Sequence, residues 1–255
     1  MFKFLRDKRR RALRERPFPD NWVRWLEHNF PVYQRLSEQD RGELHGHIHV
    51  LLEEKTWEGC EGLVLTDEMR VTIAGQAALL LLHRDTDYYP SLHSILVYPE
   101  AYVAESEEVD SAGVVTEFDD DRSGETWEQG SLVVAWDETL EGGRDIEDSF
   151  NVVLHEFAHQ LDLENGEIDG VPRLKRRERY DAWTKAFTDA FERFQRDVDR
   201  GKPTLLDPYG ADDPAEFFAV AVEGFFELPE EFKETYPDVY RELSAYFEQD
   251  PASSK

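Results

Sequence analysis

The sequence predicts an α+β fold: a helical N-terminal part, a small mixed sheet in the middle and a helical C-terminal part. Three observations carry this. Apolar residues recur at helical spacing over 38–54 and again after residue 148. Short β-rich runs bounded by Gly and Pro cluster between residues 63 and 136. The chain also holds 16 Phe, 10 Tyr and 6 Trp, which need a core even though 33% of its residues are charged.

Each element follows in turn. Residues 1–16 carry eight basic side chains against Asp7 and Glu15, a net of +6, so the other 239 residues carry −33 of the chain's −27. Residues 1–17 are therefore a basic arm, expected to lie as an amphipathic helix on its own acidic body. Ser37 opens a helix over 38–54 with Leu44, Ile48, Leu51 and Leu52 on one face. A strand is expected at Leu63–Thr66, then a buried helix capped by Thr66 and running toward Leu82. Ser94–Tyr98, Val114–Phe118 and Leu132–Trp136 read as strands, with an acidic turn Asp119–Gly124 between the last two. A helix is expected over Asp148–Leu163, ending near Asn165-Gly166. A charged helix over Arg173–Arg200 carries Trp183, Phe187, Phe191 and Phe194 as a core stripe. Asp213-Pro214 starts another, with Asp as cap and Pro in the first turn, and helical patterns continue to Gln249.

Composition narrows the function. At 255 residues the chain forms one large domain or two small ones, and the lone Cys60 excludes an intrachain disulfide. The −27 charge argues against a body that binds nucleic acid or an anionic membrane. The longest apolar run, Val71–Leu82, is 12 residues and contains Gln76, too short to span a bilayer. With a basic start in place of an apolar leader, a soluble, cytoplasmic protein is expected.

The chemistry lies in Val152-Val-Leu-His155-Glu156-Phe-Ala-His159-Gln-Leu161. Residues four apart share a helix face, so His155 and His159 can offer ring nitrogens to one Zn²⁺. Glu156 lies beside that point, where it can take a proton from the attacking water and return it to a leaving amine. The uncharged flanks suit a helix buried in a dry site. A catalytic zinc takes three protein ligands, and Asp162, Glu164, Glu167, Asp169, Glu216, Glu223 and Glu227 are candidates for the third. Glu216, in an apolar helix start, is the first choice by spacing and Glu223, two turns on along the same face, the second. Asp213 and Glu216 also have the spacing of a capping box, which competes with the ligand reading. Asp162 could orient a histidine from behind.

These residues resemble the MtfA-type (Mlc titration factor A) zinc metallopeptidases, the glucose-regulated peptidase family of bacteria. The resemblance covers most of the chain and is clearest in 63–98, 122–130, 148–150, 155–162, 207–226 and 246–251. It implies a zincin-like core around the helix bearing H-E-x-x-H and places the family's motif on His155, Glu156 and His159. It also places the third ligand, the Glu of a Pro-Ala-Glu step, on Glu216. The site plan is similar to that of lethal-factor-type gluzincins, in which a Tyr precedes the ligand Glu by seven residues. Tyr209 stands there, able to support an oxyanion.

The resemblance further implies one Zn²⁺ per chain, aminopeptidase-like hydrolysis of peptides, and association with a transcriptional repressor of the Mlc type. A protein-binding regulator with structural zinc is the alternative, and a zinc hydrolase of non-peptide substrates a third reading. The organisation expected is the arm 1–17 followed by one zinc metallopeptidase domain, 18–255. Within it, 18–92 is helical, 93–165 holds the sheet and active-site helix, and 166–255 holds the later helices and the third ligand. A peptide is expected to pair along an exposed strand at Ser131–Trp136, with Ser131, Val133 and Trp136 as substrate contacts. His45, His47 and His49 look like a metal cluster, but only two share a helix face, so an exposed helix is expected there. Trp127 and Trp136 could bind substrate rings, although core or rim packing is the commoner role of such residues. The acidic body favours cationic substrates and a rate that falls with salt.

Overall fold

A computed structural model describes residues 2–101, 104–109, 115–120, 124–127 and 130–253, with the strands between 104 and 127 described by their backbone. Four helices come first: α1 (Phe2–Arg14), α2 (Asp20–Asn29), α3 (Val32–Arg35) and α4 (Glu38–Glu54). Strand β1 (Thr56–Gly59) and helix α5 (Asp67–Leu79) follow. The strands β2 (Ser94–Tyr98), β3 (Ala104–Val109), β4 (Val115–Asp120), β5 (Gly124–Trp127) and β6 (Ser131–Ala135) make the middle. The remainder is helical: α6 (Trp136–Arg144), α7 (Val152–Asp162), α8 (Arg179–Asp199), α9 (Pro214–Glu227), α10 (Pro229–Thr235) and α11 (Pro237–Phe247).

The sheet runs in the order β1-β2-β6-β5. β1, β2 and β6 are parallel, with Thr56 opposite Ser94 and Ser94 opposite Ser131. β5 closes the sheet antiparallel to β6, with Gly124 opposite Val134. β3 and β4 form a separate hairpin. The mixed α+β class is as the sequence predicts. The strand expected at Leu63–Thr66 is absent. β1 lies earlier, because four residues become a strand only where β2 offers a partner. Part of the acidic turn after β4, residues 121–123, lies outside the described residues, as does the side chain of Trp127.

Local capping explains the helix starts. The Ser37 side chain accepts from Asp40 N, Thr66 from Met69 N and Asp213 from both Ala215 and Glu216 N, each satisfying backbone donors left open in a first turn. The basic arm folds as α1 and lies on acidic groups of the body. Arg10 reaches Glu54 at 2.7 Å and Asp87 at 2.6 Å, and Arg9 reaches Glu53 at 2.8 Å. Apart from Glu216, Glu223 and Glu227, α9 is apolar on every face and therefore sits in the centre of the core. Phe217, Phe218, Phe225 and Phe226 are fully buried there, each contributing roughly 1.5–3 kcal/mol. The stripe on α8 meets them, with Trp183 5.9 Å from Phe218 and Phe194 5.4 Å from Phe217. α8 starts at Arg179, six residues later than the charge pattern suggests, because 173–178 forms turns after Pro172.

The histidine run on α4 is buried, not exposed. His47 is hidden, with its Nδ1 2.9 Å from Tyr88 Oη, and His45 stacks on Phe18 at 3.7 Å. The partners that cover these rings come from α1–α2 and from the segment after α5, distances the local pattern does not encode.

Candidate metal centre

α7 starts where Asn151 caps it, its Oδ1 accepting Leu154 N at 3.0 Å. Val152, Val153, Leu154, Phe157, Ala158 and Leu161 are all within the core. The helix therefore holds His155, Glu156 and His159 at fixed depth. It ends in a 3-10 turn at Leu163–Asn165 and a left-handed Gly166 at φ 99°. Four residues of helical rise bring the two imidazoles onto one face, with Nε2 of His155 and Nε2 of His159 3.2 Å apart.

α9 brings the third group. Asp213 and Pro214 start it so that Glu216 falls in its first turn. Asp213 caps the helix, but Glu216 does not act as the return half of a capping box. Its Oε2 lies 3.0 Å from His155 Nε2 and 3.5 Å from His159 Nε2. The three atoms form a triangle with edges of 3.0, 3.2 and 3.5 Å. Ligands about 2.0–2.1 Å from one tetrahedral ion stand about 3.3 Å apart, so the donor set and its spacing fit a metal such as zinc. This His155–His159–Glu216 group is the one cluster among the described residues with atoms close enough to hold an ion.

The surroundings act on charge. Burial lowers the proton affinity of His155, but hydrogen bonding to Glu216 and Glu223 outweighs it and raises the ring well above its ordinary value. Burial raises Glu216, and the two histidines reverse this and hold it well below the usual carboxylate range. Glu223 meets Nδ1 of His155 and Glu216 meets its Nε2, so a divalent cation at the triangle would satisfy the two Nε2 atoms and Glu216 together.

Glu223 lies 2.8 Å from His155 Nδ1 and also accepts the backbone N–H of Asn151. Asn151 in turn donates to Glu227 at 3.0 Å. Burial pushes Glu227 well above the carboxylate range. The seven-residue step from Glu216 to Glu223 places both on one face of α9, and that step was visible in the sequence. The structure separates their positions: Glu216 is at the triangle and Glu223 is behind His155.

Asp162 is fully buried, and its Oδ2 accepts Gly170 N at 2.6 Å. Burial moves it up to about 6. For His155, the orienting hydrogen bond comes from Glu223. Gly170, at φ 76°, sits so close to α9 that a Cβ there would be 2.4 Å from Pro214 O. Glu164, Glu167, Asp169 and Glu227 stand outside the triangle. Tyr209, in a 3-10 turn at Pro208–Ala211, presents its ring 6.2 Å from that of His155. Glu156 is buried at 3% exposure beside His155.

Ser131–Trp136 is not an open edge. β6 is paired on both sides, by β2 and β5, Val133 is buried, and Trp136 begins α6. The terminal strand beside α7 is β5. The pairing order of strands is a tertiary property, so the local β pattern could not assign the edge.

An α+β chain whose buried helix faces a glutamate of a second helix across two histidines defines a candidate metal-binding protein. The sequence matches the glucose-regulated metallo-peptidase M90 family over residues 4–248, and the chain belongs to that family. It is 39% identical over 242 residues to an uncharacterised protein of Synechocystis, covering 94% of this chain and 88% of that protein. It is 33% identical over 244 residues to Mlc titration factor A of Yersinia enterocolitica, covering 92% and 88%. Against Mlc titration factor A of Pectobacterium atrosepticum the figures are 34% over 237 residues, 90% and 88%. Among the described residues no helix is long and apolar enough to cross a membrane.

Proposed function

We propose that this chain is a zinc-dependent metallopeptidase, with a zincin-like core of the gluzincin kind, held by His155, His159 and Glu216. The observation that carries the reading is the 3.0–3.5 Å triangle of donor atoms with Glu156 one residue from His155. Zinc, when bound, supplies Lewis acidity that polarises a scissile carbonyl and activates water. Glu156 takes the water's proton and passes it to the departing amine, so that no free base or acid is needed from solvent. Its burial among apolar side chains of α7 keeps competing water away. Tyr209 donates a hydrogen bond to the developing oxyanion. Glu223 fixes the His155 ring from its other nitrogen.

An extended peptide pairs with the outer edge of β5, the terminal strand among the described residues, whose backbone holds it without reading its side chains. The −33 body draws in cationic peptides, including free amino termini, consistent with an aminopeptidase-like action and with a rate that falls as salt rises. One hydrophobic cluster that includes residues from α1 through α11 supports a single domain over 18–255.

Hydrolysis of peptide reporters tests the reading. Chelation and Glu156→Gln should each lower the rate by about 10²-fold or more. Activity that survives both overturns it. The names of two relatives, Mlc titration factor A, support a second, separable role in binding Mlc; on the resemblance to that family we take the partner to be a transcriptional repressor met in the cytoplasm. A His155→Ala variant that loses hydrolysis and keeps that binding would establish the two as independent.

A further inference from the structure

A second concave feature of about 360 Å³ lies between the loop that precedes α8 and the end of α11. None of its walls is a candidate metal ligand. Its size is within the roughly 300–1,000 Å³ of small-molecule sites. Its charge is opposite to that of the protein. Five basic side chains line it against three acidic ones, in a chain of net −27.

Two of the five are already neutralised. Arg179 pairs with Glu242 at 2.6 Å and Lys175 pairs with Glu248. Arg84, Arg173 and Arg176 form no ion pair among the described residues; Glu178 lines the pocket beside them, and Glu164 lies close enough behind Arg84 and Arg173 to feel their charge. Three arginines therefore face two carboxylates, and the local balance stays positive by one charge in a strongly acidic protein. Arg84 is held in place, its guanidinium 4.1 Å from the centre of the Tyr246 ring. The loop is anchored too, since Leu174 N donates to Tyr180 Oη at 3.0 Å. Trp183 and Tyr246, both buried, form the base.

We propose that this pocket binds a small phosphate monoester. Such a group carries about −1.5 to −2 charge at neutral pH and can bond more than one of the three arginines at once. Its oxygens accept paired N–H groups from arginine forks, and Arg173 and Arg176 are in no ion pair among the described residues, while Arg84 is oriented by Leu80 O and the Tyr246 ring. The aromatic base suits the apolar or planar part of the molecule that carries the phosphate.

Isothermal titration of the metal-loaded protein with phenyl phosphate, against benzenesulfonate at matched ionic strength, tests this. Phenyl phosphate should bind saturably and at least about fivefold more tightly than the monoanionic sulfonate. The double variant Arg173→Ala with Arg176→Ala, both exposed and unpaired, should weaken binding about tenfold or more. Arg177→Ala removes the same charge from the same loop but does not line the pocket, and should change it less than about twofold. His155→Ala should leave it intact. No saturable binding, an unchanged double variant, equal binding of the sulfonate, or loss in His155→Ala, which would place the anion at the metal centre, each overturns the proposal.

Discussion

Glu223 and His155 form a fixed pair: Glu223 Oε1 lies 2.8 Å from His155 Nδ1, which leaves Nε2 turned toward His159 and Glu216. The carboxylate sets both the tautomer and the plane of the ring, because a nitrogen that bonds a carboxylate carries the proton. Glu223→Gln should therefore weaken zinc binding about 10–100-fold while leaving the fold in place. Equilibrium dialysis against a competing chelator measures this. Unchanged affinity would show that the ring is held by the helix alone.

Tyr209 stands near His155 and is 38% exposed, open to a bound substrate. Tyr209→Phe should leave zinc affinity unchanged and lower kcat by about 10²-fold, with KM changed much less, since the lost hydrogen bond is made only in the transition state. A fall confined to KM would assign Tyr209 to substrate binding instead.

Gly170 links the two halves of the centre. Its N–H is held by Asp162 of α7 and its Cα faces Pro214 O at the start of α9. Gly170→Ala forces a left-handed residue and a clash at once. It should cost about 2 kcal/mol or more of stability and weaken zinc binding by displacing Glu216. Urea unfolding and metal affinity would both report it. A loss of stability with unaltered zinc affinity would separate the loop from the site.

His83 ties α4 to the end of α11, with Asp40 Oδ1 2.6 Å from its Nε2 and Glu248 O 2.9 Å from its Nδ1. Glu43 of α4 also accepts the His83 backbone N–H at 3.1 Å. Burial lowers the ring's proton affinity, but the bonds to Glu248 and Asp40 outweigh it and leave it raised. A raised value means the folded state favours the protonated ring. The stabilisation is therefore complete below about pH 6.5 and is lost as pH rises through the folded value. His83→Asn, which tolerates the φ of 62°, should lower the urea midpoint more at pH 6 than at pH 8.5. The ring is partly solvated, so the difference is a fraction of a kcal/mol. An equal or larger penalty at pH 8.5 would contradict the assignment.

The local rules were readable where local bonding decides the outcome. Ser37, Thr66 and Asp213 announced three helix starts because each side chain caps its own backbone. The i, i+4 step announced the two facing histidines for the same reason. Asn151 carried an equally good signal for the start of α7, which begins at Val152, four residues after the expected start at Asp148. Glu223 was visible as a buried acid in an apolar helix, but whether it meets the triangle or the back of His155 depends on how α9 crosses α7. The edge of the sheet and the burial of His47 are likewise set by segments far apart in the chain, and no local pattern reports them.

The central claim is that His155, His159 and Glu216 together hold one catalytic zinc. Anomalous diffraction from crystals of the zinc-loaded protein, recorded on both sides of the zinc absorption edge, tests it most directly. The account predicts one peak at the triangle, about 2.0–2.2 Å from the two Nε2 atoms and a Glu216 oxygen, with a fourth position facing the cleft beside Glu156. A peak elsewhere, no peak, or a zinc whose ligands exclude Glu216 would contradict it.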